Sequence, residues 1–210
     1  MMKKKEIVLK GIPASPGITD GKVFLFGREQ YAIPRRSIKE EQVTNEIKRF
    51  KDALVQTRNE ILDIKQRISE EIGVEHGQIF SAHLLVIDDS MLIEEVVAKL
   101  KKEKFSIEYV FQDVLKRYIK VFSEMDDEYL KERVSDINDV GRRILKNLIG
   151  VKEDILSNLK EKVIVIAYDL SPSDTATMHK KNVRGFATDI GGRTSHTAIM
   201  AKSLEIPSVV

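Results

Sequence analysis

The sequence predicts an α/β domain split in two by an all-α, four-helix-type bundle. Three observations carry this. Positions 1–36 are rich in glycine, proline and β-forming residues. Positions 37–150 hold no proline and, before Gly150, only the glycines Gly73, Gly77 and Gly141. Positions 151–210 return to alternating strand, turn and helix signals. Neither flanking part is long enough to bury a core by itself, so 1–36 and 151–210 form one discontinuous domain around 37–150.

Taken in order, Ile7–Leu9 and Val23–Phe26 read as short strands around a turn-rich loop. Ser37 with Glu40 three residues on has the form of a capping box. Val43, Ile47, Phe50, Leu54, Ile61, Ile68 and Ile72 then keep one apolar face, and Gly73 is a stop. Further helices are expected through 75–89, 91–103 and 106–122. A long last helix follows, in which Leu130, Val134, Ile137, Gly141, Ile144 and Leu148 alternate spacings of four and three, the seam of packed antiparallel helices, and Gly150 ends it. "KVIVIAY" (162–168) is a strongly apolar strand. Ser171 is the N-cap of the helix that follows, with Pro172 at its first position and Asp174 at its third. "VRGFATDI" reads as a strand, "GGRTS" as a tight turn, "HTAIMAKSLE" as a helix and "IPSVV" as the start of another strand. Strand, glycine turn, helix is where α/β proteins hold ligands.

Composition narrows the function. A net charge of +2, 6% aromatic residues and no basic–aromatic stripe give no reason to expect a nucleic-acid partner. No apolar run approaches the ~20 residues of a membrane span, so no membrane partner is expected. "MMKKKEIVLKG" lacks the apolar core of a secretory signal, and a cytoplasmic location is the expectation. With no cysteine there is no thiol nucleophile or thiolate metal site.

The chemistry centres on His196. It stands at or near a helix start, where unpaired N–H groups and the positive dipole end favour anions, phosphate above all. A cation is disfavoured there, so the imidazole stays neutral, as a nucleophile must be. Gly191 and Gly192 let the backbone approach a bulky anion, Thr194 and Ser195 complete the turn, and the Arg193 fork suits phosphate oxygens. Together these suggest a histidine that is itself phosphorylated, with Ile199 and Met200 facing the sheet. A structural helix-start histidine is the plain alternative. A Ser195–His196 hydrolase pair lacks an elbow motif, and adjacent side chains rarely meet. His76, His83 and His179 lie too scattered for a metal site, so no metal ligands are expected here. "GGRTSH" is no dinucleotide fingerprint.

"GGRTSHTAIMAKS" closely resembles the phosphohistidine signature of the phosphoenolpyruvate-utilising enzymes, and "ASPG" at 14–17 followed by Gly21 resembles the opening of the same swivelling phosphohistidine domain. The family usually has arginine where this chain has Lys202; the charge is kept. A large helical insertion at 37–150 is similar to the Enzyme I branch, whereas the dikinase and synthase branches, the alternative assignment, lack one. The resemblance implies phosphoryl transfer from phosphoenolpyruvate through His196 to the carrier protein HPr, the first step of sugar phosphotransferase uptake. It implies that Nε2 of His196 attacks and that the Thr175 hydroxyl holds its Nδ1 proton. It places Leu85, Val86, Leu92, Phe122 and Leu130 on or near the HPr surface, with Glu75, Asp89 and Arg133 supplying charge. The four consecutive apolar residues of "HLLVIDD" cannot all face one core, which agrees with an exposed docking patch. The resemblance also implies that the phosphoenolpyruvate site, its Mg²⁺ and the homodimer contact belong to a C-terminal barrel beyond Val210. This chain would then be a C-terminally truncated, monomeric fragment with no cofactor of its own, unable to use phosphoenolpyruvate alone. An interaction module whose His196 has no chemistry is the third reading.

Overall fold

A computed structural model describes residues 7–27, 31–151, 156–178, 181–193 and 195–210; the side chains of 128–132 are outside the description. The chain divides into two compact units, 1–28 with 155–210, and 29–154.

The first unit is built on a five-stranded sheet in the order β1-β5-β4-β3-β2. Its strands are β1 (Pro13–Ser15), β2 (Lys22–Phe26), β3 (Val163–Ala167), β4 (Val183–Thr188) and β5 (Ser208–Val209). β2 to β5 run parallel, and β1 joins β5 antiparallel. In β3 every second residue, Val163, Val165 and Ala167, is buried, as period-two alternation requires. These residues pack with Val183, Phe186, Leu170, Met178, Ala201 and Ile206, and Phe24 and Phe26 of β2 lean on the same cluster. Two helices complete the unit, α7 (Pro172–Ala176) and α8 (His196–Ser203).

The expected strand at Ile7–Leu9 does not form. Those residues are exposed, and the first strand lies at Pro13–Ser15 instead. β-propensity makes a strand only where a partner edge exists. That edge is β5, and just beyond the paired strands Ile12 and Val210 exchange both backbone bonds at 2.7 and 2.9 Å.

The second unit is helical: α1 (Val43–Ile72), α2 (Val74–Gly77), α3 (Ile79–Ile87), α4 (Ser90–Glu103), α5 (Ile107–Ser123) and α6 (Glu128–Ile149). α1 buries Val43, Phe50, Ala53, Leu54, Thr57, Ile61, Ile64 and Ile68, one stripe at spacings of three and four. Ile47 and Ile72 are only half-buried at its margin. The Ser37 capping box does not form, because Ser37 is drawn into a bridge with Phe105. A short 3₁₀ turn at Glu40–Gln42 leads in instead, with Gln42 Oε1 accepting from Lys39 N at 2.8 Å. The expected helix over 75–89 is broken at Gln78 into α2 and α3. Near the base, Arg49 ties three helices together, donating to Glu46 of α1 at 2.8 Å, to Glu108 of α5 and to the Leu148 carbonyl of α6 at 3.0 Å.

Candidate functional site

Asp189 and Ile190 follow β4 and are fastened to the end of β3. Asp189 N donates to Ala167 O at 3.2 Å and Ile190 N to Tyr168 O at 3.1 Å. Gly191 then takes φ +136°, a conformation side-chain-bearing residues rarely adopt. A Cβ at Gly192 would meet nothing within 4 Å, so the loop opens there onto free space. Ser195 is the N-cap of α8: its Oγ accepts from Ala198 N at 3.2 Å, and its carbonyl accepts from Ile199 N at 3.0 Å. His196 is therefore the first residue of the helix, and its side chain is exposed. The N–H groups of His196 and Thr197 belong to the first turn, which helix geometry leaves without intrahelical acceptors.

Two contacts hold α8 in place. Thr197 Oγ1 donates to Leu170 O at 2.8 Å, locking the helix to the turn before α7. Lys202 Nζ reaches Arg193 O at 3.5 Å, so the lysine that departs from the family pattern steadies the loop from the far end of the helix. Met200 faces the core and is fully buried, while Ile199 is half-buried. Arg193 is exposed on the loop. Thr194 lies outside the described residues.

Thr175 sits on α7, whose capping box forms as the sequence predicts. Ser171 Oγ accepts from Asp174 N at 3.1 Å, and Asp174 Oδ2 accepts from Ser171 N at 2.9 Å. Thr175 is 1% exposed, and its hydroxyl points back along its own helix, 3.0 Å from both Ser171 O and Pro172 O. No hydrogen bond joins it to His196 among the described residues. The expected pairing needs a rotation of this hydroxyl, because in this conformation backbone carbonyls occupy its proton.

In the helical unit, Leu85 is 70% exposed, Val86 half-buried and Ile87 buried, so the apolar run does divide between core and surface. Asp89 is the N-cap of α4, its Oδ1 accepting from Met91 N at 2.9 Å and Leu92 N at 3.1 Å. The charge of Asp89 reaches α5: burial first, then Asp89 and Glu95, push the Tyr118 hydroxyl up from its ordinary value. Phe122 stacks on Tyr118 with ring centroids 6.3 Å apart. Tyr118 thus links Asp89, at the α3–α4 corner, to Phe122 in the second half of α5, while Leu85 and Val86 lie on the α3 side of that corner. Leu92 corrects the expected surface: at 3% exposure it is a core residue, because it lies on the same face of α4 as the buried Val96 and Leu100. Asp89 is likewise spent on capping rather than presented as an unengaged charge. Glu75 is exposed on α2 beside His76, at 3.8 Å. Arg133 on α6 donates to Asp136 at 3.2 Å. Leu130 is outside the described side chains, and His179 outside the described residues.

Sequence reasoning passed over Met91 and Val121, exposed apolar residues beside Leu92 and Phe122. An apolar residue two positions after an N-cap aspartate was the available signal for Met91. Among the described residues, no group of three or more histidine, aspartate or glutamate side chains is arranged to hold a metal ion. No helix among them is long and apolar enough to cross a membrane.

Residues 10–133 match the family of PEP-utilising enzymes, N-terminal, and residues 159–210 match the PEP-utilising enzyme mobile domain. The phosphoenolpyruvate-protein phosphotransferase of Bacillus sp. (strain S) is 43% identical over 206 residues, 98% of this chain and 35% of that protein. The Bacillus subtilis (strain 168) protein of that name is 41% identical over 202 residues, 96% of this chain and 35% of its own length. A solution structure of an Enzyme I protein, nEIt, superposes with a TM-score of 0.76 at 51% identity, covering 96% of this chain and 82% of that one. The N-terminal domain of a nitrogen Enzyme 1 superposes at 0.68 and 25% identity, covering 95% and 81%. The chain thus spans about a third of the length of the curated relatives it matches.

Proposed function

The chain belongs to the phosphoenolpyruvate-utilising enzymes, in their Enzyme I branch, and from that premise we propose that it relays a phosphoryl group through His196 to the carrier protein HPr. The observation that carries this reading is His196 itself: an exposed imidazole at the first position of a capped helix, behind a glycine turn with open space over Gly192.

In this reading Nε2 of His196 attacks the phosphorus of phosphoenolpyruvate. The N–P bond forms as the P–O bond to enolpyruvate breaks, and the enolate takes a proton to become pyruvate. The carrier's histidine then attacks the same phosphorus and regenerates His196. Nδ1 keeps its proton throughout and donates a hydrogen bond to Thr175 Oγ1 once that hydroxyl has turned from the Ser171 and Pro172 carbonyls. The first-turn N–H groups and the Arg193 guanidinium face the phosphoryl oxygens. Carrier docking falls to the α3–α4 corner, with Leu85, Val86 and Phe122 as apolar contacts and Glu75 and Arg133 as charged ones.

The longer relatives leave room for the rest. We place the phosphoenolpyruvate site, the Mg²⁺ that neutralises its phosphate and the homodimer contact in a C-terminal barrel outside this chain. The chain alone is then monomeric, and the whole protein works in the cytoplasm on sugar uptake.

The test mixes this chain with phosphorylated HPr and follows intact mass. One acid-labile phosphoryl group is expected, and none in His196→Ala, which should still bind HPr. Transfer that persists in His196→Ala refutes the assignment. Binding without transfer by the folded wild type favours a pure interaction module.

A further inference from the structure

Three buried polar side chains of the helical unit have no part in the chemistry above. His83 of α3 is fully enclosed, and Asp136 and Asp139, one turn apart on α6, are nearly so. His83 Nε2 lies 3.1 Å from Asp139 Oδ2. Its Nδ1 lies 4.0 Å from Asp136 Oδ1, and neither of these two buried atoms has a hydrogen-bond partner. Asp136 Oδ2 accepts from Arg133 at 3.2 Å, Asp139 Oδ1 from Arg142 at 3.5 Å, and the Phe80 ring lies 5.4 Å from the imidazole.

Unpartnered polar atoms inside a packed unit are costly, and this pair stands only about 1 Å beyond hydrogen-bonding distance. With a proton on Nδ1, closing the gap satisfies both atoms. With a lone pair there, two acceptors face each other and the gap stays open. Whether this contact can close therefore depends on whether Nδ1 carries a proton. Its neighbours matter. Leu85 and Val86 follow His83 on α3, and Asp136 is shared with Arg133.

We propose that His83 is a positioning residue for carrier docking: protonation of its ring closes the contact to Asp136, clamps α3 onto α6 and loosens the hold of Asp136 on Arg133, so docking tightens as pH falls. This rests on the carrier-docking reading above. The ionisable groups facing the ring are Asp136 and Asp139 of α6, backed by Arg133, Arg142 and Arg143 of the same helix; Arg143 is in turn held by Glu60 of α1 at 3.1 Å.

Calorimetric titration of the whole chain with HPr from about pH 8 to about pH 6 tests this, in the wild type and in His83→Gln. Wild-type affinity should rise by at least about fivefold, the lower end of ordinary coupling. His83→Gln should bind with no such step. A step that survives in His83→Gln, or a wild type that binds without one, overturns the proposal. Should His83→Gln fail to fold, ¹⁵N spectra of the wild type decide. The Leu85 and Val86 amides and the Arg133 side chain should move with the same midpoint as the His83 ring; a ring that does not titrate, or titrates alone, overturns it. Absence of binding at every pH overturns the docking reading and this inference with it, an outcome distinct from binding without a pH step.

Discussion

Replacing Gly141 by alanine probes how closely α5 and α6 approach. A Cβ at 141 would stand 2.3 Å from Leu115 Cδ2 and 2.7 Å from Cδ1. Leu115 is 6% exposed, so it has no free surface to swing into. Overpacking of this kind costs about 1–3 kcal/mol. Alanine in a helix interior returns about 1 kcal/mol relative to glycine. The net loss is up to about 2 kcal/mol, a fall of several degrees in Tm for a chain of this size. The sharper test is the second background. Leu115→Ala alone should lose about 2–5 kcal/mol by leaving a cavity. With the clash gone, adding Gly141→Ala should then stabilise by about 1 kcal/mol. Urea unfolding followed by far-UV circular dichroism, run on both singles and the double, reads the coupling directly. An equal effect of Gly141→Ala in both backgrounds would refute the described contact.

Four further outcomes are expected. Ser195→Ala removes the acceptor for Ala198 N–H and should cost about 1 kcal/mol, while Ser195→Asp keeps a cap but sets a negative charge beside the phosphoryl group; rapid-quench mass analysis should show slower uptake from phosphorylated HPr in both, slowest in Ser195→Asp. Thr175→Val should lower uptake and Thr175→Ser restore most of it; unchanged uptake in Thr175→Val would remove Thr175 from the mechanism. Leu85→Asp should abolish HPr binding in calorimetry with an unchanged melt, whereas Leu92→Asp should unfold the helical unit, since it puts an unpaired charge in the core. For Asp139, burial pushes its carboxyl upward, but the His83 hydrogen bond and the charges of His83, Arg142 and Arg143 outweigh this and hold it well below the carboxylate range. A depressed folded value means stability present above the unfolded carboxylate value of roughly 4 and lost as pH falls below it; melts of Asp139→Asn should show a shallower acid limb than the wild type.

Much of the helical unit was legible because periodicity is a local property. The α1 stripe, the Leu130-to-Leu148 seam and the Ser171–Asp174 capping box each need only a few neighbouring residues to be seen, and each stands where the pattern predicts, with Leu130 itself outside the described side chains. Boundaries set by distant partners were not legible. Ser37 was lost to Phe105, some seventy positions on, and the first strand moved from Ile7–Leu9 to Pro13–Ser15 because β5 lies at the other end of the chain. The same division runs through the site. The motif alone located His196, the glycine turn and the Ser195 cap, since a helix N-terminus and its loop are built from consecutive residues. Tertiary packing decided the rest. It turned Leu92 inward and Leu85 outward, aimed the Thr175 hydroxyl at its own backbone, and enclosed His83 between two aspartates more than fifty residues away. Which face of a helix is solvent and which partner a buried polar atom finds depend on the elements packed against it, and no window of sequence contains those.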